Sequence, residues 1–121
     1  MARILIIDDE AMMRDLLVQI LGREGHETVT ASSGRDGIKI HQENPADLII
    51  TDIIMPDKEG IETIMELRRN FRDVKIIAMS GGGRIDSETY LHIAKTIGAI
   101  KTIAKPFYRK ELLEKVQELL E

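Results

Sequence analysis

Short apolar runs occupy residues 4–7, 48–50, 74–79 and 99–104, and each leads into a reactive or charged side chain. These side chains are Asp8 with Asp9, then Asp52, Ser80 and Lys105. Short, largely apolar runs of this length, alternating with segments of helical period, predict parallel strands buried on both faces. The first strand spans about residues 3–7 and its helix residues 11–24, where Met12, Met13, Leu16, Leu17, Ile20 and Leu21 form one wide apolar stripe. Gly25 is placed to cap that helix at its C-terminus. Residues 28–31 read as a short second strand, and Ser33 as the N-cap of a helix that ends near Glu43, just before Pro45.

The third strand covers about residues 46–51, with Asp52 at its end. A helix over residues 58–70 turns Ile61, Ile64 and Met65 inward. The fourth strand is 74–79, after which Ser80 and the glycines 81–83 read as a flexible loop. A thin stripe of Leu91, Ala94 and Ile97 marks a helix over 86–96, ended by Gly98. The fifth strand is 99–103, and Leu112, Leu113, Val116, Leu119 and Leu120 mark a last helix near 109–120. The expected architecture is one α/β domain over residues 1–121, a doubly wound parallel sheet of five strands with five helices on its two faces. Ligands of such sheets bind outside the carboxyl ends of the strands. Three acids, a hydroxyl and an ammonium therefore converge on one edge, a set suited to a divalent cation and a phosphoryl group.

A chain of 121 residues can bury one real core, and 43% apolar with 31% charged residues is a globular composition. The net charge of -4 argues against nucleic-acid binding as the main role. The absence of Cys excludes disulfides and thiolate catalysis and fits a reducing compartment. There is no apolar leader at the N-terminus and no run near the ~20 apolar residues of a membrane span. A cytoplasmic protein with no membrane contact is expected. His26, His41 and His92 stand isolated and read as surface or edge residues.

The ordered set Ile4-Leu5-Ile6-Ile7-Asp8-Asp9-Glu10, Asp47 to Pro56 around Asp52, Ser80, and Lys105-Pro106-Phe107 resembles the receiver domain of two-component response regulators. The resemblance spans essentially the whole chain. It also selects the flavodoxin-like strand order 2-1-3-4-5 among doubly wound orders.

That resemblance implies a role for each residue. Asp52 is the phosphoacceptor, a carboxylate that forms an acyl phosphate. Asp9, Asp52 and the backbone carbonyl of Ile54 hold Mg²⁺, for which Mn²⁺ substitutes, and Asp8 acts through a metal-bound water. Lys105 and the Ser80 hydroxyl stabilise charge on the phosphoryl oxygens. The Lys105–Pro106 bond is often cis in this family. The donor is a sensor histidine kinase, a phosphotransfer protein or a small acyl phosphate. The output face, about residues 86–97, 99–103 and 109–120, docks a downstream effector. The domain is expected to catalyse only its own phosphorylation and dephosphorylation, and so not to be an enzyme toward other molecules. No effector domain follows Glu121 in this sequence, so a stand-alone receiver or a segment of a longer regulator is expected.

Three positions depart from the family pattern. Thr102 stands where a rotating aromatic is usual. Gly81 stands where Ala, Ser or Thr is usual, which would open the phosphoryl group to water and shorten its life. Lys105-Pro106-Phe107 and Glu111-Leu112 resemble regulators that form phosphorylation-dependent homodimers through the output face, yet Lys101 replaces the Asp often found there. The bland reading of Asp8-Asp9 is helix N-capping, which needs one Asp, and Glu10 reads as a solvated first-turn residue. Rival readings are a pseudo-receiver scaffold that acts by binding alone, a flavin carrier and an aspartate-nucleophile phosphatase. Asp8-Asp9-Glu10 repels a flavin phosphate and lacks the Asp-x-Asp pattern of such phosphatases.

Overall fold

The structure, a computed structural model, describes residues 1–53, 60–81 and 87–121, with the side chains of all of these except 87–91. Five βα units follow one another: β1 (Arg3–Ile7), α1 (Ala11–Arg23), β2 (Glu27–Ala31), α2 (Gly34–Glu43), β3 (Leu48–Asp52), α3 (Gly60–Asn70), β4 (Ile76–Gly81), α4 (Ser87–Ile97), β5 (Lys101–Lys105) and α5 (Arg109–Leu120). All neighbouring strands run parallel, in the order β2-β1-β3-β4-β5. The doubly wound five-stranded sheet expected from the sequence is therefore what the chain forms.

β3, β4 and β5 each begin two residues later than the strands expected from the sequence at 46, 74 and 99. The ladder carries on into polar positions because backbone donors and acceptors of a buried strand need partners whatever the side chain is. Ser80 pairs with Ala104 and Gly81 with Lys105, so Ser80, Gly81 and Lys105 are strand residues rather than loop residues. Gly82, Gly83 and the 54–59 segment, including Ile54, lie outside the described residues.

Alternation along the strands splits the core into two layers. Ile4, Ile6, Leu48, Ile50, Ile77, Met79 and Ile103 face α1 and α5, where Leu17, Ile20, Leu21, Leu112, Val116 and Leu119 cover them. Leu5, Ile7, Ile49, Ile76 and Ala78 face the other way, against Ile38, Ile64, Leu67 and Ala94 of α2, α3 and α4. Full burial of each large apolar side chain contributes about 1.5–3 kcal/mol.

The apolar stripe of α1 is narrower than its sequence implies. Leu17, Ile20 and Leu21 are buried, but Met12 is 86% exposed and Leu16 44%. α1 shares its sheet face with α5, so each helix inserts only part of its circumference. In α3 the inward face is also rotated. Thr63, Ile64 and Leu67 are buried, Ile61 is half-buried and Met65 points outward. The phase is set at the first residue, because Gly60 lies so close to the end of β3 that a Cβ there would sit 2.1 Å from the Asp52 carbonyl oxygen. Positions 60, 63, 64 and 67 then share one face. In α4 Ala94 is buried and Ile97 half-buried, while the side chain of Leu91 lies outside the described set. Gly25 has φ +87° after α1, and Ser33 Oγ accepts a hydrogen bond from the Asp36 N–H at 3.2 Å, as expected for the two caps.

His41 is buried, not peripheral. Its ring meets Phe71 edge-on at 4.6 Å, and its Nδ1 accepts from the Ala46 N–H at 3.0 Å. His26 is half-buried with Nδ1 accepting from the Ala2 N–H, and His92 is exposed. Among the described residues no helix is long and apolar enough to cross a membrane.

Two outcomes follow for stability. Leu17→Ala should cost about 2–5 kcal/mol in urea unfolding, whereas Met12→Ala should stay within about 0.5 kcal/mol of the parent. Burial pushes the His41 pKa below its ordinary 6.5, so the unfolded chain binds the extra proton first. Stability should therefore fall as pH drops through about 6.5, and His41→Asn, which keeps an acceptor but does not titrate, should flatten that slope in urea midpoints.

Candidate functional site at the carboxyl edge of the sheet

Register places the charged residues. Ile7 pairs with Thr51, so Asp8 comes level with Asp52. Asp52 pairs with Met79, and Gly81, two residues on, pairs with Lys105. In-register residues of parallel strands point to the same face, and so do residues two apart. Asp8, Asp52, Gly81 and Lys105 thus continue the rows of Ile6, Ile50, Met79 and Ile103 that face α1 and α5. Lys105 starts two residue rises, roughly 6–7 Å, beyond the level of Asp52. Its long stem spans the difference.

The Lys105 ammonium lies 2.9 Å from Asp52 Oδ2, 3.1 Å from Asp8 Oδ2 and 3.8 Å from Glu10 Oε1. Asp8 is fully buried, and the Asp52 and Lys105 side chains are 8% and 13% exposed. Burial works against the lysine charge. The hydrogen bond and charge of Asp52, joined by those of Asp8, outweigh it and hold the ammonium above its ordinary pKa.

Among the described residues, carboxylate oxygens of Asp8, Glu10 and Asp52 lie within 4.8 Å of one another. Asp9 is exposed and outside this group; Glu10 is exposed too, as the sequence reading has it, but its carboxylate joins the group. The cause is local. Glu10 has extended backbone, and its N–H donates to Asp8 Oδ1 at 2.9 Å, so alternate residues 8 and 10 share a side. Three acids in a row after a strand, read at period two, carry that signal. Arg14 steadies the turn by donating to the Asp8 carbonyl at 2.8 Å.

Ser80 is buried in β4, one residue beyond the partner of Asp52. Alternation sets it in the other row, with Ala78, at the same edge of the sheet. The backbone carbonyl expected from Ile54 lies outside the described residues. The structure thus brings Asp8, Asp52 and Lys105 into contact, sets Ser80 beside them at the sheet edge and leaves Asp9 at the rim. Three carboxylates facing one ammonium leave a negative excess, and hard oxygen donors at this spacing suit a small divalent cation.

The family model for the response regulator receiver domain matches residues 4–117. The chain belongs to that family. Over 126 aligned residues this receiver is 34% identical to a probable transcriptional regulatory protein of Picosynechococcus, covering 98% of this chain and 49% of that protein. Against sporulation initiation phosphotransferase F of Bacillus subtilis it is 30% identical, covering 98% of this chain and 93% of that one. It is also similar to the crystal structure of response regulator TrrA from Thermotoga maritima in complex with Mg²⁺ and BeF. There the TM-score is 0.85 at 37% identity, covering 99% of this chain and all of the other. The receiver spans about half the length of the first of these relatives.

Against this family background, the Lys105–Pro106 peptide is cis. Thr102 is half-buried on β5 and pairs with Ala78, so no aromatic ring stands at that position. Lys101 is bound within its own chain, 2.7 Å from Glu118 of α5.

Removing the ammonium should expose the mutual repulsion of the acids. Lys105→Met should lower stability by about 1–3 kcal/mol, and adding Asp8→Asn should recover part of that loss, as read by urea unfolding of the double-mutant cycle.

Proposed function

We propose that this receiver is the phosphoacceptor of a two-component system and that Asp52 takes the phosphoryl group. The observation that carries this reading is the buried Asp52 carboxylate held at 2.9 Å by Lys105 at the carboxyl edge of the sheet. One Asp52 oxygen forms the new bond to phosphorus as the bond from phosphorus to the donor nitrogen breaks, and the leaving imidazole takes up a proton. Lys105 then meets charge on the transferred oxygens that it already meets on the carboxylates, so little reorganisation is needed. The Ser80 hydroxyl donates to another of those oxygens. Being short and at the end of β4, it is the group through which the phosphorylated state is sensed.

Asp8, Asp9 and Asp52, with the Ile54 carbonyl, are the proposed holders of Mg²⁺, and Glu10 is a further acid beside them. When bound, the ion offsets negative charge on the acids and on the phosphoryl oxygens. Mn²⁺, with similar oxygen preference, should substitute. The proposed donor is a sensor histidine kinase or a phosphotransfer protein in the cytoplasm. The proposed acceptor of the signal is an effector that reads α4, β5 and α5, and the domain acts enzymatically on nothing but itself. Pairing of two phosphorylated copies through that face would have to draw Lys101 away from Glu118.

The test is incubation with Mg²⁺ and acetyl phosphate, followed by intact mass, and with beryllofluoride, followed by fluorine NMR. The parent chain should gain one phosphoryl group and one fluoride adduct, and Asp52→Ala neither. Lys105→Met should slow labelling by about 10²–10³. Label retained on Asp52→Ala would move the acceptor to another residue, and no label on the parent under any donor would leave the pseudo-receiver reading instead. Asp9→Asn should weaken Mg²⁺ binding more than Glu10→Gln does in calorimetric titration.

A further inference from the structure

We infer that α3 is a lever joining the acceptor to the output face, with Arg68 as the link at its far end. The inference rests on the phosphoacceptor reading for its trigger, and it adds a route separate from Ser80.

The near end of the lever is seated on the acceptor strand. The Gly60 N–H donates to the Ile53 carbonyl at 3.1 Å, and a Cβ on Gly60 would sit 2.1 Å from both the Asp52 carbonyl oxygen and Ile53 Cα. Not even a methyl group fits between the first residue of α3 and the backbone of the acceptor. Thr63, Ile64 and Leu67 are fully buried, so α3 is held along one whole face. Close-packed interiors transmit a displacement instead of absorbing it.

Arg68 lies a little over two turns, about 12 Å, along the helix axis from Gly60. Its guanidinium donates to the Arg72 carbonyl at 2.9 Å and to the Gly98 carbonyl at 2.6 Å. The first bond ties it to the end of its own helix, the second to the junction of α4 and β5. The stem also lies flat on Gly98. A Cβ there would be 3.1 Å from Arg68 Cβ, Cγ and Nε, and the φ of +144° is one that favours glycine. The Gly98 and Ala99 N–H groups both donate to the Ala94 carbonyl, and the Ile100 N–H donates to the Ile76 carbonyl of β4. A shift at Gly98 therefore reaches the last turn of α4 and the start of β5 together. Exposed Ile93 and Ile100 flank it in sequence. Charge added at Asp52 changes the forces on the end of β3, and α3 follows because it has no free space there. Arg68 acts through α3 and is a positioning residue.

Amide NMR of the full chain, with and without Mg²⁺ and beryllofluoride, reads the transmission. The adduct should shift the Gly98 and Ala99 amides of the parent. Arg68→Met should take up the adduct as the parent does, by fluorine NMR, and lose most of that shift. Arg68→Lys, with one donor group in place of a fork, should keep part of it, and carries the test if Arg68→Met does not fold. Lys75→Met, which cuts the bond from Lys75 to the Leu119 carbonyl of α5, should keep all of it. No shift in the parent adduct, or a shift of parent size in Arg68→Met, overturns the inference. Equal loss in Lys75→Met overturns it too, because that marks general loosening. A ligand-free arm separates the lever from its trigger. Gly60→Ala should move the same two amides, and Gly60→Ala with Arg68→Met should not. If Gly60→Ala does not fold, Ile64→Val repacks the buried face of α3 more gently and takes its place. No movement in the single variant, or equal movement in the double, overturns the lever. A parent chain that takes no adduct but shows this ligand-free coupling defeats the phosphoacceptor reading and leaves the lever standing.

Discussion

The register of four parallel strands is the constraint on which the site depends. β1, β3, β4 and β5 are locked by consecutive backbone pairs, and each pair fixes the level and the face of every side chain in it. The rows that begin as Ile4, Leu48, Ile77 and Lys101 end as Asp8, Asp52, Gly81 and Lys105. Burying the apolar part of a row against α1 and α5 thereby carries its last member to the edge. The hydrophobic term that folds the domain also aims its charges, so the site needs few contacts of its own to be assembled.

What those few contacts do is restrain repulsion. The buried carboxylates of Asp8 and Asp52, with exposed Glu10 beside them, would drive each other apart. A single ammonium, itself raised in pKa by their company, holds them together. Coulombic balance is left incomplete, with three carboxylates to one ammonium, an arrangement that suits a small divalent cation. Elsewhere some charged side chains find partners one to one. Arg3 meets Glu27, Lys101 meets Glu118, and Lys75 donates to the Leu119 carbonyl at the end of α5.

Much of this was legible in the amino-acid order. The runs of Ile and Leu located the strands, and the residues just after them, Asp8, Asp52, Ser80 and Lys105, did gather at one edge. Other features were not legible, each for a physical reason. That the Glu10 carboxylate comes beside those of Asp8 and Asp52 depends on the local backbone of the β1–α1 turn. The phase of α3 follows from a backbone contact between Gly60 and β3, which no periodicity reports. His41 is buried because Phe71, distant in sequence, packs on it. Gly81 read as part of a flexible loop because glycine is ambiguous, and only its ladder partner shows that it belongs to the strand.

The two-residue rhythm of β3 has a consequence for how such a chain can vary. Exchanging one Ile for Val in Leu48–Ile50 leaves Asp52 aimed as before. Deleting or inserting one residue in the same strand would turn Asp52 toward α3 and present Thr51 or Ile53 in its place. Spelling in these segments is free within the apolar alphabet, and their length is not.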